Sequence, residues 1–299
     1  METARISLRI ATPAFYDLSA LAAWAFLAAD RLAKNRQGSA RRDRYHEVMH
    51  DKPVALVTGA NKGIGHEIAR QLAARGYTVL IGARDFALGE AAARQISGDA
   101  RAVALDVTSA DSIAAAAARI RRELGRLDVL VNNAGIASAR PPSATALADI
   151  ARSGKPSVAG LAEVRAVFET NVFGVIAVTQ ALLPLLREAP AGRIVNVSSR
   201  VGSLSAISDA AYPYPGIGGV AYGPSKTALN AVTVAFAQEL AGTAIKVNAA
   251  CPGFTATDLN NHSGPRGVAE GAREPVRLAM LGPDGPTGTF SNEAGPIPW

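Results

Sequence analysis

From Pro53 onward the chain alternates short apolar runs with longer alanine-rich stretches whose apolar positions recur at helical spacing. The runs Val54 to Thr58, Thr78 to Ala83, Ala102 to Leu105, Val129 to Asn132, Ile194 to Ser198 and Ile245 to Ala250 predict buried strands. Ile64 to Arg75, Ser109 to Leu124, Glu163 to Leu186 and the run AYGPSKTALNAVTVAFAQEL from Ala221 predict helices. Strands that are apolar throughout, rather than at alternate positions, are covered on both faces, and the helices between them supply the cover. The pattern predicts an α/β fold, a doubly wound parallel sheet, with its ligand at the carboxyl ends of the strands.

Residues 1 to about 50 have a different texture. An uncharged apolar segment, Leu18 to Ala29, lies between Asp17 and Asp30 and is followed by an arginine-rich run. Its twelve residues are fewer than a bilayer span requires, and no small-residue cleavage site follows it. An amphipathic surface helix or a targeting peptide remains open, and stable membrane insertion is not expected. Met49 directly precedes HDKPVALVTG, where the organised pattern begins. The expectation is therefore a single domain over 49–299 with an N-terminal extension, 1–48, that the native protein need not carry.

Composition narrows the function classes. Of 299 residues, 48% are hydrophobic, ample for a substantial core. The net charge of +6 is spread along the chain with no basic block beyond Arg41-Arg42-Asp43-Arg44, so no nucleic-acid partner is expected. One cysteine, Cys251, excludes an intramolecular disulfide and fits a reducing, cytoplasmic compartment. His46, His50, His66 and His262 have no metal-site spacing, so no metal is expected.

Candidate chemistry begins where the first strand ends, at Thr58-Gly59-Ala60-Asn61-Lys62-Gly63-Ile64-Gly65. Glycines there permit a tight turn and close approach to a pyrophosphate, whose charge the next helix meets with unpaired N–H groups. Lys62 in this loop and Arg84 after the second strand are two cations suited to a ribose 2′-phosphate, which argues for NADP(H). Asp85, one position later, is the competing feature, since a carboxylate there suits the free ribose of NAD. Asp106 and Val107, ending the third strand, are expected near the adenine, with helix capping as a compatible role for Asp106.

Tyr222 and Lys226, four residues apart in a helical run, fall on one helix face. A free phenol has a pKa of ~10. A neighbouring ammonium favours the phenolate, so Lys226 is expected to lower that value and make Tyr222 a usable acid or base.

Together these residues resemble the short-chain dehydrogenase/reductase family. The resemblance runs from about Val54 onward and is carried by TGANKGIG, Asn132-Asn133-Ala134-Gly135, Asn171 in ETNVFG, the serines of GRIVNVSS, YGPSK, and Pro252-Gly253 followed by Thr257. NKGIG, GARD and the closing GPTGTFSNEAGPIPW look most like the carbonyl-reductase branch. The resemblance implies a Rossmann fold and a reaction in which Tyr222 protonates a carbonyl oxygen as hydride arrives from a nicotinamide. Lys226 would tune the phenol and bind the nicotinamide ribose, Ser199 would hold the carbonyl oxygen, and Asn171 would anchor a water behind Lys226. Ser199 is preferred to Ser198 because Arg200-Val201-Gly202 follows it. Gly59, Asn61, Lys62, Gly63, Ile64 and Gly65 would bind cofactor. Asn132, Ala134 and Gly135 would line its adenine-ribose side and steady the sheet, and Pro252, Gly253 and Thr257 would hold its nicotinamide or pyrophosphate end.

The chain departs from the family in one place. Ser199 and Tyr222 are 23 residues apart, about ten more than the family's usual spacing, and the added stretch SDAAYPYPGIGGV reads as a loop at the mouth of the site. Tyr212 and Tyr214 either touch substrate or pack this loop. Ile136 to Gly160 reads as a second rim loop, and Thr257 to Pro265, with Asn260, Asn261 and His262, as a third. The oligomeric state stays open. The expected function is NADPH-dependent reduction of a small-molecule ketone or aldehyde. The alternatives are an NAD-dependent alcohol dehydrogenase and a non-catalytic dinucleotide sensor.

Overall fold

Strands with apolar side chains on both sides of the backbone offer no face to water, so they pair side by side beneath helices. The computed structural model describes residues 52–139, 154–213 and 216–299. The first unit of the chain, Met1–Asp51, lies outside the described residues, as do its apolar segment and the expected boundary at residue 48.

Strands β1 (Val54–Thr58), β2 (Thr78–Ala83), β3 (Ala100–Ala104), β4 (Val129–Asn132), β5 (Arg193–Val197), β6 (Lys246–Ala250), β7 (Phe290–Asn292) and β8 (Gly295–Pro296) form one sheet. Its order is β3-β2-β1-β4-β5-β6-β7-β8, and β7 with β8 is the antiparallel pair in an otherwise parallel sheet. The doubly wound parallel sheet expected from the pattern is the fold. Strands β1 to β6 fall within two residues of the expected runs. The edge pair β7 and β8 was not anticipated, because three and two residues make no apolar run.

The helices are α1 (Gly63–Ala73), α2 (Phe86–Arg94), α3 (Ala110–Leu124), α4 (Leu161–Phe168), α5 (Gly174–Leu186), α6 (Leu204–Ile207), α7 (Gly219–Glu239), α8 (Val268–Gly271) and α9 (Arg273–Ala279). The single helix expected over Glu163 to Leu186 is α4 and α5 joined by a π-helical turn, Glu169–Phe173. By length and composition Leu161–Leu186 is apolar enough to cross a bilayer. Here its buried residues, among them Val178, Leu182, Leu185 and Leu186, belong to the core beneath the sheet.

Alternation along each strand divides the core in two. Leu56, Leu130, Ile194 and Val247 pack with Ile113, Ile120, Leu182 and Leu240 on one face. Val57, Val131, Val195 and Ala250 pack with Ile68, Leu72, Val276 and Leu278 on the other. One cation is built into this frame: the buried Arg193 guanidinium donates to the carbonyls of Gly192, Ala244, Leu281 and Gly282. It ties the start of β5 to the segments before β6 and after α9.

Candidate active site

The chain leaves β1 for β2 on one side and returns later to β4 on the other, so a crevice opens at the carboxyl ends of β1 and β4. A cavity of about 1370 Å³ fills it. Its lining runs from Arg84, Asp106 and Val107 beyond β2 and β3, past the glycine loop, to Ser199, Tyr222 and Lys226 beyond β5 and on α7.

The glycine loop is built for close approach. Gly59 has φ +62, and a Cβ on it would lie 2.9 Å from the Ala134 Cα. At Gly65 a Cβ would meet the Asn133 Nδ2 at 2.3 Å and the Gly59 carbonyl oxygen at 2.7 Å. Asn133 Nδ2 donates to the carbonyls of Thr58 (2.9 Å) and Gly59 (3.1 Å), while Thr58 Oγ1 accepts from the backbone N–H of Asn133 and Ala134. At the start of α1, Lys62 supplies no side-chain cap, so no N-cap side chain competes for the first-turn N–H groups. A cradle too tight for any side chain, opening on an uncapped helix, fits the pyrophosphate of a dinucleotide.

At the adenine end Arg84 is exposed on the cavity wall. Asp85 accepts from the Leu88 N–H at 3.1 Å and so caps α2. Asp106 Oδ1 accepts from both the N–H and the hydroxyl of Thr108. Burial works to raise the Asp106 carboxyl, but these two bonds and the nearby Arg84 outweigh it and hold the group below its usual range. The cap of α3 is Ser109, not Asp106. Lys62 is committed elsewhere: its Nζ lies 2.6 Å from Asp258 Oδ2 in the loop after β6, and His262 Nε2 approaches the other Asp258 oxygen at 2.9 Å.

At the other end, α7 carries Tyr222 and Lys226. Lys226 is buried and donates to the Val197 carbonyl at 2.8 Å, with its Nζ 5.7 Å from the centre of the Tyr222 ring. Ser199 lines the cavity near the Tyr222 phenol, whose ionised form its hydroxyl favours. Ser198 points inward, donating to Asn230 Oδ1 at 2.6 Å. Asn171, in the π-helical turn, accepts from the Ile136 N–H and donates to the Ile136 carbonyl and to Ser225 Oγ. Two backbone partners and one hydroxyl satisfy this buried amide. A Cβ on Gly135 would nonetheless sit 3.2 Å from Asn171 Oδ1 and 3.5 Å from Lys226 Nζ, so the three groups converge.

The structure thus gathers Ser199, Tyr222, Lys226, Ala134, Gly135, Asn61, Lys62, Gly63, Ile64, Pro252, Gly253 and Thr257 around one cavity. Two expectations need correction. Asn132 does not line it: its side chain is buried in the sheet, donating to Thr179 Oγ1 and Asn196 Oδ1. Nor does Lys226 lower the Tyr222 phenol. Burial pushes that group up to about 12, the Ser199 hydroxyl pulls it back in part, and Cys251 adds to the rise. Burial also pulls Lys226 down to about 8. Desolvation disfavours the charged form of each and is the largest cause of both shifts. Of the loop tyrosines, Tyr212 lines the cavity and Tyr214 lies outside the described residues. Thr58 and Asn133, which clamp the glycine loop, went unrecognised in the sequence, although both stand inside the quoted motifs.

A doubly wound sheet with a dinucleotide cradle at β1 and a tyrosine-lysine pair beyond β5 defines a nicotinamide-dependent oxidoreductase. The chain belongs to the short chain dehydrogenase family, whose model matches residues 53–266. It is 37% identical over 245 residues to the short-chain dehydrogenase anuI of Penicillium roqueforti, covering 77% of this chain and 90% of that protein. It is 32% identical over 294 residues to carbonyl reductase (NADPH) 1 of Mus musculus, covering 84% and 100%. The solved structure of salutaridine reductase from Papaver somniferum superposes with a TM-score of 0.68 at 30% identity, covering 80% of this chain and 99% of that one.

Proposed function

We propose that this protein is an NADPH-dependent reductase of ketones and aldehydes. The observation that carries the reading is that Ser199, Tyr222 and Lys226 line the same cavity as the glycine-loop cradle, with the Lys226 Nζ 5.7 Å from the centre of the Tyr222 ring. The reduced nicotinamide supplies the hydride. Tyr222, held protonated by burial, gives its proton to the carbonyl oxygen, and Ser199 donates a hydrogen bond to the same oxygen. Lys226 would hold the nicotinamide ribose, and Asn171 braces the chain at Ile136 and Ser225.

Arg84 supports the choice of NADPH. It stands exposed at the adenine end, where a guanidinium can fork onto a 2′-phosphate, whereas Asp85 spends an oxygen capping α2. The Mus musculus relative bears NADPH in its name.

The test follows loss of NADPH absorbance with a panel of aliphatic, aromatic and quinone carbonyls, beside Tyr222→Phe and with NADH in place of NADPH. Turnover that needs the phenol hydroxyl and prefers NADPH is the expected result. Cofactor binding with no carbonyl reduced would leave a dinucleotide sensor instead.

A further inference from the structure

We propose that Arg200 is an anion-binding residue at the substrate end of the cavity, and that the carbonyl compounds reduced here carry a carboxylate a few bonds from the carbonyl. The inference rests on the reductase reading above and narrows its substrate class.

Arg200 directly follows Ser199 and opens the short 3-10 turn Arg200–Gly202 that the Ser199 side chain caps. Their Cα atoms are therefore ~3.8 Å apart. An oxygen held by Ser199 and an anion held by Arg200 can belong to one small molecule. The Arg200 side chain lines the cavity, with its guanidinium 6.0 Å from the centre of the Tyr212 ring. A guanidinium that meets an aromatic face only through this long cation–π contact keeps its forked edge for a carboxylate, which it can hold with two parallel hydrogen bonds.

The other cations at this end are already engaged. Arg266 pairs with Glu293 at 2.6 Å, Lys62 with Asp258, and buried Lys226 with the Val197 carbonyl. His262 is on Asp258 as well. Of the nearby acids, Glu163 accepts from the Ala139 N–H, and Asp209 accepts from the Ala211 N–H. Among the described residues, no ion pair to a carboxylate engages Arg200. Arg200 also lies close to Cys251: burial pushes that thiol up, and the backbone N–H groups of Gly253 and Arg200, with the charges of Arg200 and Arg266, pull it back in part. A neutral substrate filling this space would strip water from the guanidinium and return no partner, whereas a carboxylate would replace the water with charge-assisted bonds.

The experiment compares benzoylformate and 4-formylbenzoate with their methyl esters, using the full chain and NADPH. The acids are expected to be reduced with kcat/KM roughly 10- to 100-fold above the esters, through KM, the range of a hydrogen bond to a charged group. Arg200→Gln should bring the ratio near one, and Arg200→Lys should keep part of it. Calorimetric titration of the NADP+-loaded protein with the same four compounds gives a readout free of turnover. Esters that equal or exceed the acids, or an acid preference that survives Arg200→Gln, overturn the inference. Neutral carbonyls reduced without acid preference would sink it alone and leave the reductase reading intact. Arg200-dependent binding of the acids with no carbonyl reduced would do the reverse.

Discussion

At Tyr222 and Lys226 burial acts on both members of a pair and pushes their titrations in opposite directions. With its phenol raised to about 12, Tyr222 stays protonated across the working range, which suits a proton donor. Tyr222→Phe removes that proton and should lower kcat by roughly 10²- to 10⁴-fold while NADPH still binds, as fluorescence titration would show. Lys226 sits near 8, so its charge disappears as pH rises through that value rather than through the usual lysine range. The pH profile of kcat/KM for NADPH, which reports the free enzyme, should therefore fall above about pH 8. The same shift has a stability sign. An unfolded chain keeps this lysine charged up to ~10, so below pH 8 folding buries a charge, and the cost is relieved as pH climbs. The stability of Lys226→Met relative to the parent should thus decline by roughly 2 kcal/mol between pH 7 and 10, read from urea melts.

At the scale of elements, the turn after β5 and helix α7 lock together at one glycine. A Cβ on Gly202 would land 2.7 Å from the Lys226 carbonyl carbon and 2.8 Å from its Cβ, with backbone on the other side of the contact. Gly202→Ala should cost about 1 to 3 kcal/mol of stability by overpacking. By moving Ser199 away from Tyr222 it should depress kcat more than KM for NADPH, a split that steady-state kinetics would resolve. That glycine already marks Ser199 over Ser198 in the sequence, and the contact gives the physical reason. Much else at this scale was legible for the same kind of reason: strands β1 to β6 are buried on both faces, so their apolar runs are unbroken. What escaped has causes as definite. β7 and β8 are too short to form a pattern, and the π-helical turn leaves apolar spacing intact while changing the hydrogen bonding. Adjacent residues at the end of β4 face opposite ways, so Asn132 turns into the sheet and Asn133 toward the glycine loop. The titrations of Tyr222 and Lys226 depend on burial by the folded chain and on Cys251, 25 residues or more away in sequence, which the spacing of the pair does not contain.

For the molecule as a whole, a cofactor that binds only the folded state adds its binding energy to stability. NADPH at 100 times its Kd should contribute ~2.7 kcal/mol. For a domain of this size that corresponds to a rise in Tm of roughly 5 to 10 °C. NADH at the same concentration should raise Tm less, and Arg84→Ala should erase the difference in a thermal melt; an equal shift with both cofactors in the parent protein would remove the case for the 2′-phosphate. The far end of the chain also reaches the site. Trp299 stacks on Phe290 at 5.6 Å between ring centres, its carbonyl oxygen accepts from the N–H and hydroxyl of Ser205, and the Pro298 carbonyl accepts from Ser203 Oγ. Ser203 and Ser205 belong to the turn and short helix α6 that follow Ser199 directly. A change that loosens the Trp299 ring from Phe290 would therefore slacken the same segment that carries Ser199, so a residue on the far side of the sheet's edge can set how firmly the active-site hydroxyl is held.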